Sequence, residues 1–131
     1  MDQVAAAQFA NFMARFYQNM AAQVGDTLHQ SIGVIPDSQA SILADDQMRL
    51  LSYSNTFFSL SDAIAFQGAD EYFQSARDAT GQIADALKHI DKIDKVISIT
   101  ANVIGLGGGI VSKNTSMMET ALMALKDQIK L

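Results

Sequence analysis

Asp85 and His89 stand four residues apart, the spacing that brings two side chains together on one helical face. A carboxylate beside an imidazole can orient a base or support a metal ligand. Asp91 and Asp94 follow closely, but Lys88, Lys92 and Lys95 alternate with these acids. Charges of alternating sign along a helix mark a solvated face, and that is the expectation here. His29, the other histidine, falls near the end of the first apolar-periodic segment, where imidazoles interact with terminal carbonyls. Asp45 and Asp46 are adjacent, so a helix points them in different directions and they form no acid/base pair. Asp70 and Glu71 read as first-turn acids favoured by the helix dipole.

Two further chemistries fail on spacing. The run Gly105-Leu106-Gly107-Gly108-Gly109 lacks the G-x-G-x-x-G spacing and the preceding strand of a dinucleotide site, and no Gly-Lys-Ser/Thr follows it. Cysteine is absent, which removes thiol catalysis, disulfides and thiolate metal sites. With a formal net charge of -5, a pI near 4.7 and no basic tract, the chain is unsuited to nucleic acid. The expectation is a non-enzymatic protein with no cofactor. The first residues, MDQVAAAQFANF, carry no basic n-region, so the expected location is cytoplasmic, or outside the cell by export without a conventional signal peptide.

The elements that would position these residues are helices. At 131 residues and 49% apolar content, one domain with a real core is expected. Proline occurs once, at Pro36, and helix formers abound. The predicted class is all-α, an elongated antiparallel bundle of three long helices and a shorter C-terminal one, at about 3–30, 38–66, 70–106 and 116–130. Phe9, Met13, Phe16, Met20, Val24 and Leu28 recur at steps of three and four on the first helix. Leu43, Leu50, Ser54, Phe57, Ser61 and Ile64 share a face of the second, with Leu51 and Phe58 beside it, and Gly68 is its expected stop. Ile83, Ile90, Ile97 and Ile104 recur every seven residues and, with Leu87, predict a seam along one long third helix. A hydroxyl cap at Ser116 with Glu119 three residues on predicts the start of the fourth.

The segment 96–112 carries no charge, although charged residues make up 18% of the chain. Val96, Ile97, Ile99, Val103, Ile104, Leu106, Ile110 and Val111 make it apolar, and Gly105, Gly107, Gly108 and Gly109 are its candidate hinge, expected to end or bend the helix. Two roles fit it: packing within the bundle, or entry into a membrane. Over residues 91–113, long helices with a glycine-broken apolar segment resemble the helical pore-forming toxins. That resemblance implies a soluble form hiding a membrane-inserting element. Long helices with charge-poor faces point first to a helical interaction or self-assembly protein, the expected partners being further copies of the chain. A lipid membrane is the alternative partner, and a small helical enzyme or ligand-binding protein the third.

Overall fold

The computed structural model describes residues 2–129 of the chain. Five helices and one 3-10 turn account for nearly all of them, and no strand occurs among the described residues. The first helix, α1, spans Gln3–Ser31. Asp2 caps it, its Oδ1 accepting from the Ala5 N–H at 2.7 Å. At about 1.5 Å per residue its 29 residues reach about 43 Å. Beyond Ser31 the chain turns through Gly33, whose φ of +82° only glycine adopts cheaply. Pro36 then sits just before α2, Asp37–Leu60, where its missing N–H costs nothing.

The second predicted helix is shorter than expected. It ends at Leu60 because Ser61 has φ 50° and ψ -123°, a conformation outside the helical region and strained for a residue with a Cβ. A 3-10 turn, Ser61–Ile64, follows. Gly68, at φ +82°, then stands at the head of α3, Ala69–Leu87, rather than at the tail of α2.

The long third helix predicted over 70–106 is two helices. It breaks at residues 88–92, and α4 spans Ile93–Ser112. The Lys88 and His89 N–H groups bond the Asp85 and Ala86 carbonyls in a tightened last turn, and Lys92 is extended. The chain then doubles back. Phe73 stacks on Phe9 at 4.0 Å between ring centroids, and Leu87 lies by Val24, so α3 runs parallel to α1. Val96 lies by Val24 and the Tyr17 hydroxyl donates to the Val103 carbonyl at 2.6 Å, so α4 runs the opposite way. Reversal buries Val96, Ile99, Val103, Leu106 and Ile110. Each such burial is worth about 1.5–3 kcal/mol. The few helical hydrogen bonds lost at the break are worth about 1 kcal/mol each, so folding back wins.

The chain turns again at Lys113, not at the glycines. Lys113 takes the left-handed position (φ 56°), and the Asn114 N–H reaches the Gly109 carbonyl at 2.9 Å, satisfying the end of α4. α5 spans Thr115–Ile129. Its cap is Asn114, whose Oδ1 accepts from the Met117 N–H at 3.1 Å, so Ser116 lies inside the helix it was expected to cap. Lys130, the last residue of the helix predicted over 116–130, is outside the described residues.

Cross-helix contacts fix the directions. The Ser54 hydroxyl donates to the Ala14 carbonyl at 2.7 Å and Gln47 lies against Gly25, so α1 and α2 are antiparallel. Gln39 bonds Asp94 at 2.6 Å and Tyr53 lies by Gly108, so α2 and α4 are parallel. Gln128 bonds both Asn102 and Ser98 while Met118 meets Gly109, which makes α5 antiparallel to α4. Of the expected apolar faces, Phe9, Met13, Phe16, Met20 and Val24 from α1 and Leu43, Leu50 and Phe57 from α2 are buried and Leu28 is half-buried; Tyr17 from α1 and Met118, Leu122 and Leu125 from α5 complete the core.

Candidate interaction sites

Three consecutive glycines on a helix point about 100° apart and so survey three directions around it. Those of α4 meet three different neighbours. A Cβ on Gly107 would lie 2.5 Å from the Tyr17 hydroxyl of α1. One on Gly108 would lie 3.0 Å from the Tyr53 hydroxyl of α2 and 3.1 Å from Met117, and one on Gly109 only 2.9 Å from the Met118 backbone nitrogen of α5. The candidate hinge is therefore helical throughout, and these three glycines serve close approach. Gly105 alone has open space where a Cβ would be.

The apolar residues of 96–112 divide between core and flank. Val96, Ile99, Val103, Leu106 and Ile110 are buried, and Ile97, Ile104 and Val111 are half-buried against that core. The isoleucine seam divides too. Ile83 is buried in α3, Leu87 is half-buried at its end, Ile90 lies in the α3–α4 turn, and Ile97 and Ile104 flank α4. The heptad spacing runs across a chain reversal and describes no continuous rod. By length and composition α4 could cross a membrane, yet fewer than half of the residues in its most apolar window are buried in the bundle.

Asp85 and His89 fall on either side of the α3 terminus, both exposed, so the helical register that would bring them together is lost. Among the described residues no three His, Asp or Glu side chains gather closely enough to hold a metal ion. Asp45 and Asp46 diverge: Asp45 is exposed and Asp46 is buried. Burial holds the Asp46 carboxyl above its ordinary 3.8, against the pull of Arg49 and with a smaller push from Asp45. Tyr17 is fully buried between Tyr53 and Phe57, its ring 5.5 Å from the latter. Desolvation drives its pKa well above 10, so it is a neutral donor at any working pH. At the surface, the Tyr72 hydroxyl donates to Glu119 at 2.9 Å, joining α3 to α5, and that bond raises its pKa.

The outer face of α2 went unread in the sequence. Met48, Leu51 and Phe58 are 70%, 44% and 51% exposed at spacings of three and seven, which aligns them in one stripe. Leu51 and Phe58 had appeared as neighbours of the buried face. They lie about a quarter turn beyond Leu50 and Phe57, and this small angle separates core from solvent. The α1–α2 register places Asn11, Arg15 and Gln18, all exposed, alongside them. No charge occurs between Arg49 and Asp62, and Arg15 is the sole charge between Asp2 and Asp26.

No protein-family model matches the chain, and neither curated proteins nor solved structures show a significant similarity to it.

Proposed function

We propose that this protein is a non-enzymatic helical interaction protein that assembles with further copies of itself through the outer face of α2. The observation that carries the reading is the exposed stripe of Met48, Leu51 and Phe58, which is free of charge from Leu50 to Ser61 and bordered by Asp45 and Arg49 at its Met48 end. Scattered apolar residues on a surface need no explanation, whereas aligned ones beside uncharged neighbours favour association. A self-complementary contact suits such a face, because a charge-poor surface meets a copy of itself with little repulsion. The adaptable side chain of Met48 fits the same role.

Size-exclusion chromatography with light scattering, run from low micromolar to several hundred micromolar, tests it. The wild-type mass should exceed that of one 14.1 kDa chain and grow with concentration. Leu51→Asp/Phe58→Asp should elute as a single chain with its helical circular dichroism intact. A wild-type protein of single-chain mass throughout that range overturns the proposal.

A second reading is favoured by α4, which is long and apolar enough for a bilayer. Insertion would require α4 to leave Tyr17, Tyr53 and Met118 and to surrender five buried aliphatic side chains. At about 1.5–3 kcal/mol each, that opposes release unless lipid recovers it, which ranks insertion below assembly. Dye leakage from liposomes, abolished by Ile104→Asp in a variant that still folds, would reverse the order.

A further inference from the structure

Sulfur in this chain is thioether only, because cysteine is absent. The methionines among the described residues fall into two groups. Met13, Met20 and Met118 are sealed in the core, whereas Met48, Met117 and Met123 face solvent, Met48 the most at 70%. An oxidant in solution reaches the second group and not the first. Position then separates the three exposed ones. Met117 and Met123 lie on α5, which packs on α3 and α4. Met48 stands on the outer face of α2, three residues before Leu51 in the apolar stripe.

Oxidation changes what that stripe can do. The thioether sulfur attacks one oxygen of hydrogen peroxide, the O–O bond breaks, that oxygen stays on sulfur, and the other leaves as water. Sulfur loses two electrons and the peroxide gains them. A flexible apolar side chain becomes a polar one with a strong acceptor oxygen. In the single bundle water solvates this oxygen, because Met48 already faces solvent. Between two copies of the stripe it would lose that water, and neither Leu51 nor Phe58 has a side-chain donor to replace it. Burying an unpartnered acceptor is unfavourable. The chemistry therefore acts on the contact between copies and spares the fold.

We infer that Met48 is a modification site for peroxide whose oxidation switches self-assembly off, a switch that rests on the assembly proposed for the α2 face. Contact and oxidation oppose each other: the contact covers the sulfur, and the sulfoxide weakens the contact. Thiol-dependent sulfoxide reductases reverse the change, releasing the oxygen as water and leaving a disulfide on the reductase.

Size-exclusion chromatography with light scattering first sets the mass of the unoxidised wild type at several hundred micromolar. Single-chain mass at that stage sinks the assembly reading, and this switch with it. The same sample is then treated with hydrogen peroxide until peptide mass spectrometry finds Met48 converted. Its mass should fall toward that of one chain with helical circular dichroism unchanged, association being weaker by roughly tenfold or more, the effect of one buried unpartnered acceptor. Met48→Leu keeps the apolar bulk without sulfur, so it should assemble and hold its mass through the same treatment. Met123→Leu should dissociate as the wild type does. Under excess peroxide, Met48 should convert severalfold more slowly at several hundred micromolar chain than at low micromolar, while Met123 converts at one rate. Three results would overturn the switch and leave assembly standing: a full-mass assembly with Met48 converted, a Met48→Leu protein that dissociates in peroxide like the wild type, or a Met48 rate independent of concentration in a chain that assembles.

Discussion

Tyr17 and Gly107 are closely paired in the core. The phenol donates to the Val103 carbonyl at 2.6 Å, and a methyl group on Gly107 would sit 2.5 Å from its oxygen and 2.9 Å from Cζ. Tyr17→Phe removes the hydroxyl and should cost about 1 kcal/mol, the usual worth of one such hydrogen bond. Gly107→Ala in the native background should cost about 1–3 kcal/mol, the range for overpacking, because the ring cannot retreat from between Tyr53 and Phe57. In the Tyr17→Phe background the worst contact is gone while Cζ remains. Urea denaturation of the four proteins should therefore give a double-mutant cost below the sum of the singles, by about 1 kcal/mol. Strict additivity would mean that the glycine serves something other than this phenol. Asp46 offers a second test. Burial raises its pKa, so the folded chain keeps the proton to higher pH than the unfolded chain does. Stability tied to this group is then greatest below 3.8 and is lost as pH rises through the elevated value. Asp46→Asn should raise Tm at pH 7, and thermal melts should show that gain shrinking to nothing below pH 3.8. A gain that persists at low pH would assign it to packing instead.

Among the helices, glycine has two different meanings, and substitution separates them. Gly81 is exposed and Gly105 half-buried, and neither has an atom where a Cβ would stand. Alanine at either should stabilise by about 0.5–1 kcal/mol, the helical disadvantage of glycine. Gly109→Ala should do the reverse, losing about 1–3 kcal/mol, because the added methyl meets the Met118 backbone nitrogen at 2.9 Å and α5 would have to move outward. Chemical denaturation of the three variants checks the signs, and a stabilising Gly109→Ala would refute close approach as the reason for the cluster. The same contrast explains what was legible in the sequence. Helical class and inner faces were readable because burial follows the 3.6-residue period, as at Phe9, Met13 and Val24. The reversal after Leu87 was not, because isoleucines seven apart keep their spacing through a turn when both arms pack on the same core. Nor was the role of the glycines, since a run of three signals a bend wherever no neighbour is known. The cap of α5 was missed by two residues because Asn114 competed with Ser116 for it.

At the scale of the whole molecule, the apolar stripe on α2 and the net charge of -5 pull in opposite directions. Like charge keeps copies apart over roughly 8–10 Å at physiological salt, whereas apolar contact acts only at close range. The charge-poor face formed by α1 and α2 is where repulsion between copies is weakest, so association there should strengthen with added salt. Mass action gives this a thermal signature. A chain that pairs with a second copy gains about 0.7 kcal/mol for each tenfold rise in concentration above its dissociation constant, because the free chain rises only as the square root of the total. For a domain of this size, that amounts to a few degrees in Tm. Melting curves over a hundredfold concentration range should therefore shift upward for the wild type, and further in 0.5 M sodium chloride. Leu51→Asp/Phe58→Asp should melt at one temperature throughout, near the value the wild type approaches at high dilution, because both side chains already face solvent in the single bundle. If the wild-type Tm is flat across that range, the exposed stripe has no copy to meet. If the double variant melts far below the dilute wild type, Leu51 and Phe58 belong to the core of one chain rather than to a contact between two.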